Sequence, residues 1–72
     1  MRTFKIDKFL ISFEHDWINS IAIRPQATIV DTVTGEVGAP LNQNIHCSTM
    51  RQADFAMIRL ARRRIREGDW RN

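Results

Sequence analysis

The sequence predicts an α+β fold, a small antiparallel three-stranded sheet followed by one C-terminal amphipathic helix packed on one face of that sheet. Three observations predict it. Ile21, Ile23, Ala27, Ile29 and Val33 all fall on odd positions, the period of two that a half-buried strand requires. After Thr34-Gly35-Glu36 the apolar residues Val37, Leu41, Ile45 and Cys47 keep the same parity. From Met50 to Glu67 there is no Gly or Pro, and Met50, Ala53, Ala56, Met57, Ile58, Leu60, Ala61 and Ile65 recur at about 100° per residue on one broad side.

In chain order, the first segment alternates Phe4 and Ile6, then shifts phase to Phe9, Ile11 and Phe13. One strand with a bulge at Asp7-Lys8 accounts for the shift. The helix-like spacing of Leu10, Phe13, Trp17 and Ile21 is the alternative. In the second and third strands both apolar sets must reach one face, so paired residue numbers must sum to an even value. A two-residue loop at Thr34-Gly35 would turn one set to solvent. A three-residue loop pairs Val33 with Val37, Ile29 with Leu41 and Ile23 with Cys47; a five-residue loop or a bulge at Gly38 also keeps parity. Gly35 is expected at positive φ. Pro25 lacks a donor, which places it at a sheet edge or a bulge. The helix has a capping box, Thr49 as N-cap and Gln52 reaching back, and Gly68 suits the left-handed position that ends a helix. The strands are expected within 3–47 and the helix over about 50–67.

Seventy-two residues make a single domain, 1–72, that buries only about 60% of the surface its unfolded chain exposes. A hydrophobic content of 43% and a charged content of 26% argue against disorder. The single cysteine, Cys47, allows no internal disulfide and suits a reducing compartment. The longest nearly apolar run at the start, Phe9 to Phe13, is too short for a signal peptide or a membrane span. The expectation is a cytoplasmic protein that does not engage a membrane.

The net charge of +3 is unevenly spread. Residues 1–48 carry four basic groups against five acids, whereas residues 49–72 carry seven arginines against Asp54, Glu67 and Asp69. Five of those arginines crowd into RLARRRIRE, residues 59–67. Arg51, Arg59, Arg62, Arg63 and Arg66 gather on the helix side opposite the apolar one, with Phe55 among them. Cations near the end of a helix are favoured by its dipole, so a purely solvated face is one reading. The other is a contact face. Phe55 can stack on a base or anchor in a protein, and arginine favours planar, bidentate contacts to carboxylate or phosphate. Arg64 and Asp54 lie on the apolar side and are expected to reach the rim or pair with sheet residues.

Catalytic and metal chemistry finds little support. Glu14-His15-Asp16 and His46-Cys47 are the clusters present, and neighbours on a strand point to opposite faces. There is no C-x-x-C, no H-x-x-x-H and no Gly-rich phosphate loop. Cys47 lies on the apolar parity, as a small core residue does. The three glycines read as turn and cap positions. No enzyme, cofactor or metal is expected. Trp17 is expected to close the edge of the core. Trp70, in GDWRN, is either a lid on the core or an exposed partner anchor.

The stretch IVDTVTGEVGA, an alternating strand with a Gly turn and a V-G ending, resembles a hairpin in small phage-encoded anti-CRISPR proteins that bind the crRNA-carrying surveillance complex. It covers about eleven residues and is a pattern shared by many hairpins, and the arginine-bearing helix departs from that family, so no functional residue is carried over. The resemblance implies a non-enzymatic inhibitor that blocks a host nucleoprotein machine.

The leading expectation is therefore a small interaction protein that occupies a surface on a larger target. Its contact residues would be Arg51, Phe55, Arg59, Arg62, Arg63, Arg66 and Trp70. Direct nucleic-acid binding by the same face is the rival, although no helix-turn-helix, zinc finger or RNA-binding sheet is recognisable. A homodimer through the open sheet face is the third possibility, because one helix cannot cover both faces.

Overall fold

A computed structural model describes residues 2–71. Six strands precede one helix: β1 (Thr3–Ile6), β2 (Phe9–Phe13), β3 (Asp16–Asn19), β4 (Ala22–Arg24), β5 (Gln26–Asp31), β6 (Leu41–Asn42) and α1 (Met50–Glu67). The class is α+β with antiparallel pairing, as the periodicity predicts. The three-stranded sheet is not what forms. There are two sheets, a four-stranded one in the order β1-β2-β5-β6 and a two-stranded one made of β3 and β4.

The extra strand comes from the first segment. Asp7 and Lys8 are not a bulge in one strand but the two-residue turn of a hairpin, with Ile6 opposite Phe9 and Phe4 opposite Ile11. Asp7 adopts φ 51, the left-handed conformation that Asp tolerates and that such a turn needs. A reversal shifts the apolar phase as a bulge does, so the two cannot be told apart from alternation alone. The helical alternative is also excluded, since residues 9–13 are a strand paired with β5 through Ile11–Ile29 and Phe13–Ala27.

Pro25 stands where the chain passes from β4 in the small sheet to β5 in the large one. Its missing N–H is tolerated at this break between ladders. The β5–β6 connection keeps the even parity only from Leu41 onward and departs from the expected register; Val37, bridged at an odd sum, is turned to solvent. Ile23 pairs with Cys47 as expected, whereas Leu41 lies opposite Ala27 rather than Ile29, and Val37 bridges Val30 rather than Val33. The offset changes by one residue between Val37 and Leu41, which is the bulge near Gly38 that parity allows. Gly35 has φ 78, as the turn requires.

Val33 leaves the ladder because Asp31 ends the strand first. One carboxylate oxygen of Asp31 accepts from the N–H groups of Val33 (2.9 Å) and Thr34 (3.2 Å), and the other lies 3.2 Å from the Lys8 ammonium. Thr32 ties the same places together, its N–H and its hydroxyl both donating to the Lys8 carbonyl at 2.9 and 2.6 Å. Side chain-to-backbone bonds of this kind compete with ladder formation.

One face of the large sheet, bearing Phe9, Ile11, Ala27, Ile29 and Leu41, packs on Met57, Leu60 and Ala61 of α1. A second cluster joins Ile23 and Cys47 to Ala53, with Met50 at its margin. The helix thus lies across both sheets, and its alanines let the backbone approach closely. Its ends are as expected in kind. Thr49 accepts from the Gln52 N–H at 3.1 Å, but the Gln52 side chain reaches one residue further back and accepts from the N–H of Ser48 (2.9 Å). Gly68 is left-handed at φ 78, its N–H donates to the Ile65 carbonyl, and Asp69 donates to that of Arg64, which completes a Schellman motif. Leu10, Ser12, Thr28 and Val30 alternate on the uncovered sheet face, half-buried and half polar.

Two tryptophan expectations change. Trp17 does not close the core; it stands 54% exposed on β3, opposite Ile23. Trp70 is 3% exposed and is a lid, not a partner anchor. Its ring meets Phe9 edge-on at 5.0 Å, and the Arg71 guanidinium stacks over it at 4.8 Å. Gly38 is therefore more than a turn residue: a Cβ there would overlap the Trp70 carbonyl oxygen and lie 3.1 Å from its ring. Burial of the indole decides this docking, since Trp→Ala in a core costs about 3–5 kcal/mol. The exposed Arg71–Glu36 pair beside it (3.1 Å) is worth at most about 1 kcal/mol.

Gly38→Ala should destabilise the fold by about 1–3 kcal/mol through overpacking, measured as the urea midpoint. Gly68→Ala meets open space and pays only for its backbone conformation, about 1–2 kcal/mol. An unchanged midpoint for Gly38→Ala would mean that the Trp70 tail does not dock on residues 36–38.

Candidate functional site

Helix α1 carries its charge outward because its inward side is taken by the two apolar clusters. Arg51, Phe55, Arg59, Arg62, Arg63 and Arg66 are all exposed. Among the described residues none of the five arginines forms an ion pair with an acidic side chain. The two charged residues on the apolar side behave differently, as expected. Arg64 reaches Asp69 at 3.9 Å, and Asp54 is bound by Arg2 and by His15.

The residues picked from the sequence do not form one patch. Phe55, 55% exposed, faces the outermost strand of the large sheet. A hollow of about 440 Å³ there is lined by Phe4, Gln52, Phe55, Ile58, Arg59 and Arg62. A second, of about 420 Å³, shares Phe4, Phe55 and Ile58 and extends to Arg2, Thr3, Phe13 and Arg51. Arg63 lies on the other flank, where it lines a smaller hollow of about 260 Å³ with Gln43, Ala56, Arg59 and Leu60. Arg66 lines none of these, and Trp70 belongs to the interior. Arg59 borders a hollow on each flank.

Phe4 is the residue that sequence reasoning missed. It shares a face with Ile11, which is fully buried, but sits one strand further out, where α1 no longer covers it. Its alternation with Ile6 reads as core. The phase shift at Asp7-Lys8 was the one available signal that a further strand, and hence a new edge, lay there. Together Phe4, Phe55 and Ile58 make an apolar strip bounded by Arg51, Arg59 and Arg62.

His15 belongs to the interior and lines none of these hollows. Its side chain is 1% exposed and stacks on Phe13 at 5.4 Å. The Gln26 N–H donates to Nδ1 at 3.0 Å, so the proton is on Nε2, which donates to Asp54 at 2.8 Å. Both ring nitrogens are therefore occupied. Cys47 is buried, with its sulfur in the small cluster. Among the described residues no group of three or more His, Cys, Asp or Glu side chains gathers to hold a metal ion, and no helix is long and apolar enough to cross a membrane. No protein family, no curated protein and no solved structure matches the chain.

The polar contacts set the response to acid. Burial, and then the charge of Arg2, hold the His15 imidazole below its ordinary value of 6.5. The folded protein therefore keeps His15 neutral where the unfolded chain would bind a proton. Asp31 is also held below the usual carboxylate value: burial pushes it up, but the N–H groups of Thr34 and Val33 and the Lys8 ammonium outweigh that. Stability should then fall in two steps as the pH drops. The first begins near pH 6.5 and ends as the pH passes the lowered imidazole value; the second comes only below the ordinary carboxylate value of 3.8. His15→Gln should abolish the first step in urea unfolding curves taken from pH 8 downward and leave the second; a persistent first step would assign it to another group.

Proposed function

We propose that this protein is a small interaction protein that docks on a larger macromolecule through the outward face of α1, with Phe55 as the apolar anchor and Arg51, Arg59 and Arg62 around it. The observation that carries this reading is the pair of exposed aromatics Phe4 and Phe55, with the buried Ile58 at the floor between them, bordered by Arg51, Arg59 and Arg62, which have no acidic partner among the described residues. Interface centres favour aromatic residues and arginine, and a few such residues carry most of the binding energy. Nothing in this arrangement calls for turnover, so the action is occlusion of a surface. The hairpin likeness to anti-CRISPR proteins supports the narrower reading of a phage-encoded inhibitor of a host nucleoprotein complex. The free Cys47 suits work in the cytoplasm. Arg63 and Arg66, on or beyond the second flank, steer association rather than anchor it.

A second reading, nucleic-acid binding, is favoured by the five unpartnered arginines along one helix. It makes a different demand on salt, since each neutralised phosphate steepens the dependence of affinity on ionic strength. For a protein partner we expect a stoichiometric complex that survives nuclease and moderate salt and is lost on Phe55→Ala. Arg59→Glu/Arg63→Glu should slow association more than it speeds dissociation. Nucleic-acid binding instead predicts that log affinity falls against log salt with a slope near −0.7 to −0.9 per phosphate contacted. Tight, salt-sensitive binding to an oligonucleotide panel that tolerates Phe55→Ala would replace the first reading with the second.

A further inference from the structure

The sheet beside Phe55 ends in a strand with nothing paired to its outer side among the described residues. β1 is the outermost strand, bonded only to β2, and Thr3, Phe4 and Lys5 are all exposed. The Phe13 N–H donates to the Arg2 carbonyl at 3.1 Å. In an antiparallel ladder the backbone groups alternate in direction. Arg2, Phe4 and Ile6 therefore turn their groups toward β2, and Thr3 and Lys5 turn theirs outward. An added strand would sit about 4.8 Å further out. Its residue opposite Phe4 would lie on the helix side of the sheet, beneath Phe55, where the hollow of about 440 Å³ opens.

From this we infer that β1 and the Phe4–Phe55 hollow together receive an acidic peptide in extended conformation, added to the sheet as a further strand. The inference rests on the docking reading above and names its mode and partner. Backbone bonds to Thr3 and Lys5 supply the register. An apolar side chain of the peptide, opposite Phe4, fills the hollow. Carboxylates two residues before and after it, on the same face of the strand, reach Arg51, Arg59 and Arg62, whose planar guanidinium groups suit bidentate contact. Charge selects this occupant over a second copy of the chain. Pairing two β1 strands would bring Arg2, Lys5, Arg51 and Arg59 of one copy against the same residues of the other, and a basic residue on an edge strand is a recognised guard against self-pairing.

The test is a titration of the isotope-labelled protein with a capped heptapeptide that has leucine at its centre, glutamates two residues before and after it on the same strand face, and threonine elsewhere. A lysine-for-glutamate version, a version N-methylated on the residues that bond the edge, and an oligothymidylate serve as comparisons. Binding should shift and protect from exchange the amides of Thr3 and Lys5, and the lysine and N-methylated versions should bind at least about tenfold more weakly. Thr3→Pro, at a strand start where proline is tolerated, should weaken the acidic peptide to the same degree, while Lys5→Gln should keep most of the affinity. If Thr3→Pro does not fold, the N-methylated peptide alone decides the point. No binding of the acidic peptide at millimolar concentration, equal binding of the N-methylated one, or preference for oligothymidylate would overturn the inference. Loss on Arg59→Glu with no effect of Thr3→Pro or N-methylation would leave the docking face standing and remove only strand addition. Loss on Thr3→Pro with no effect of Phe55→Ala or Arg59→Glu would overturn both.

Discussion

The bond between His15 and Asp54 is the constraint on which the placement of the surface depends. It joins the turn after β2 to the first turns of the helix, 39 residues later in the chain. An apolar contact between α1 and the sheet permits some rotation of the helix about its axis, since dispersion is not directional. A hydrogen bond from a ring held on its other side by the Gln26 amide does not. With Asp54 fastened inward to His15 and Arg2, the next residue, Phe55, is directed to the rim beside β1. The neutral state of His15 belongs to the same constraint, because a buried imidazolium facing Arg2 would be costly even with Asp54 alongside.

The rest of the molecule is organised to let one helix serve two sheets. Ile23 and Cys47 meet Ala53 near its start, and Phe9, Ile11, Ile29 and Leu41 meet Met57, Leu60 and Ala61 further on. Small residues at 53, 56 and 61 keep the helix close to both. The C-terminal tail then returns over the large sheet, Trp70 against Phe9 and the bare backbone of Gly38. For a chain that can bury only a modest core, this use of the tail is economical: it closes the core without a further element. It also removes Trp70 from the surface and leaves Phe55 as the exposed aromatic on the basic helix.

Fully covering α1's inward side is also what exposes the charge. Arginines placed opposite an apolar stripe face solvent wherever the stripe is buried, and here Arg51, Arg59, Arg62, Arg63 and Arg66 form no ion pair with an acidic side chain among the described residues. The hollow at Phe4 arises for a different reason. The sheet is one strand wider than the helix covers, so its last apolar residue overhangs. The β3–β4 hairpin, with Trp17 and Ile21 (76% exposed) uncovered, shows the same mismatch at the other sheet.

The sequence by itself determined the helix, its limits and its polarity. The caps Thr49 and Gly68 are local, and a period near 3.6 is read within one segment, so α1 and its inward residues are legible without any partner. It also determined the parity that β5 shares with Leu41 and Cys47, though not with Val37 or Ile45, and the positive φ of Gly35. Only the tertiary structure decided whether a phase shift is a bulge or a reversal, because alternation is blind to direction. The change of register between Val37 and Leu41, the burial of Trp70 and the exposure of Trp17 are likewise tertiary, since each depends on which distant surface is near. The candidate surface divides in the same way. Its arginines and Phe55 follow from helical spacing, whereas Phe4 joins them only because the fold sets a strand from the start of the chain beside a helix from its end.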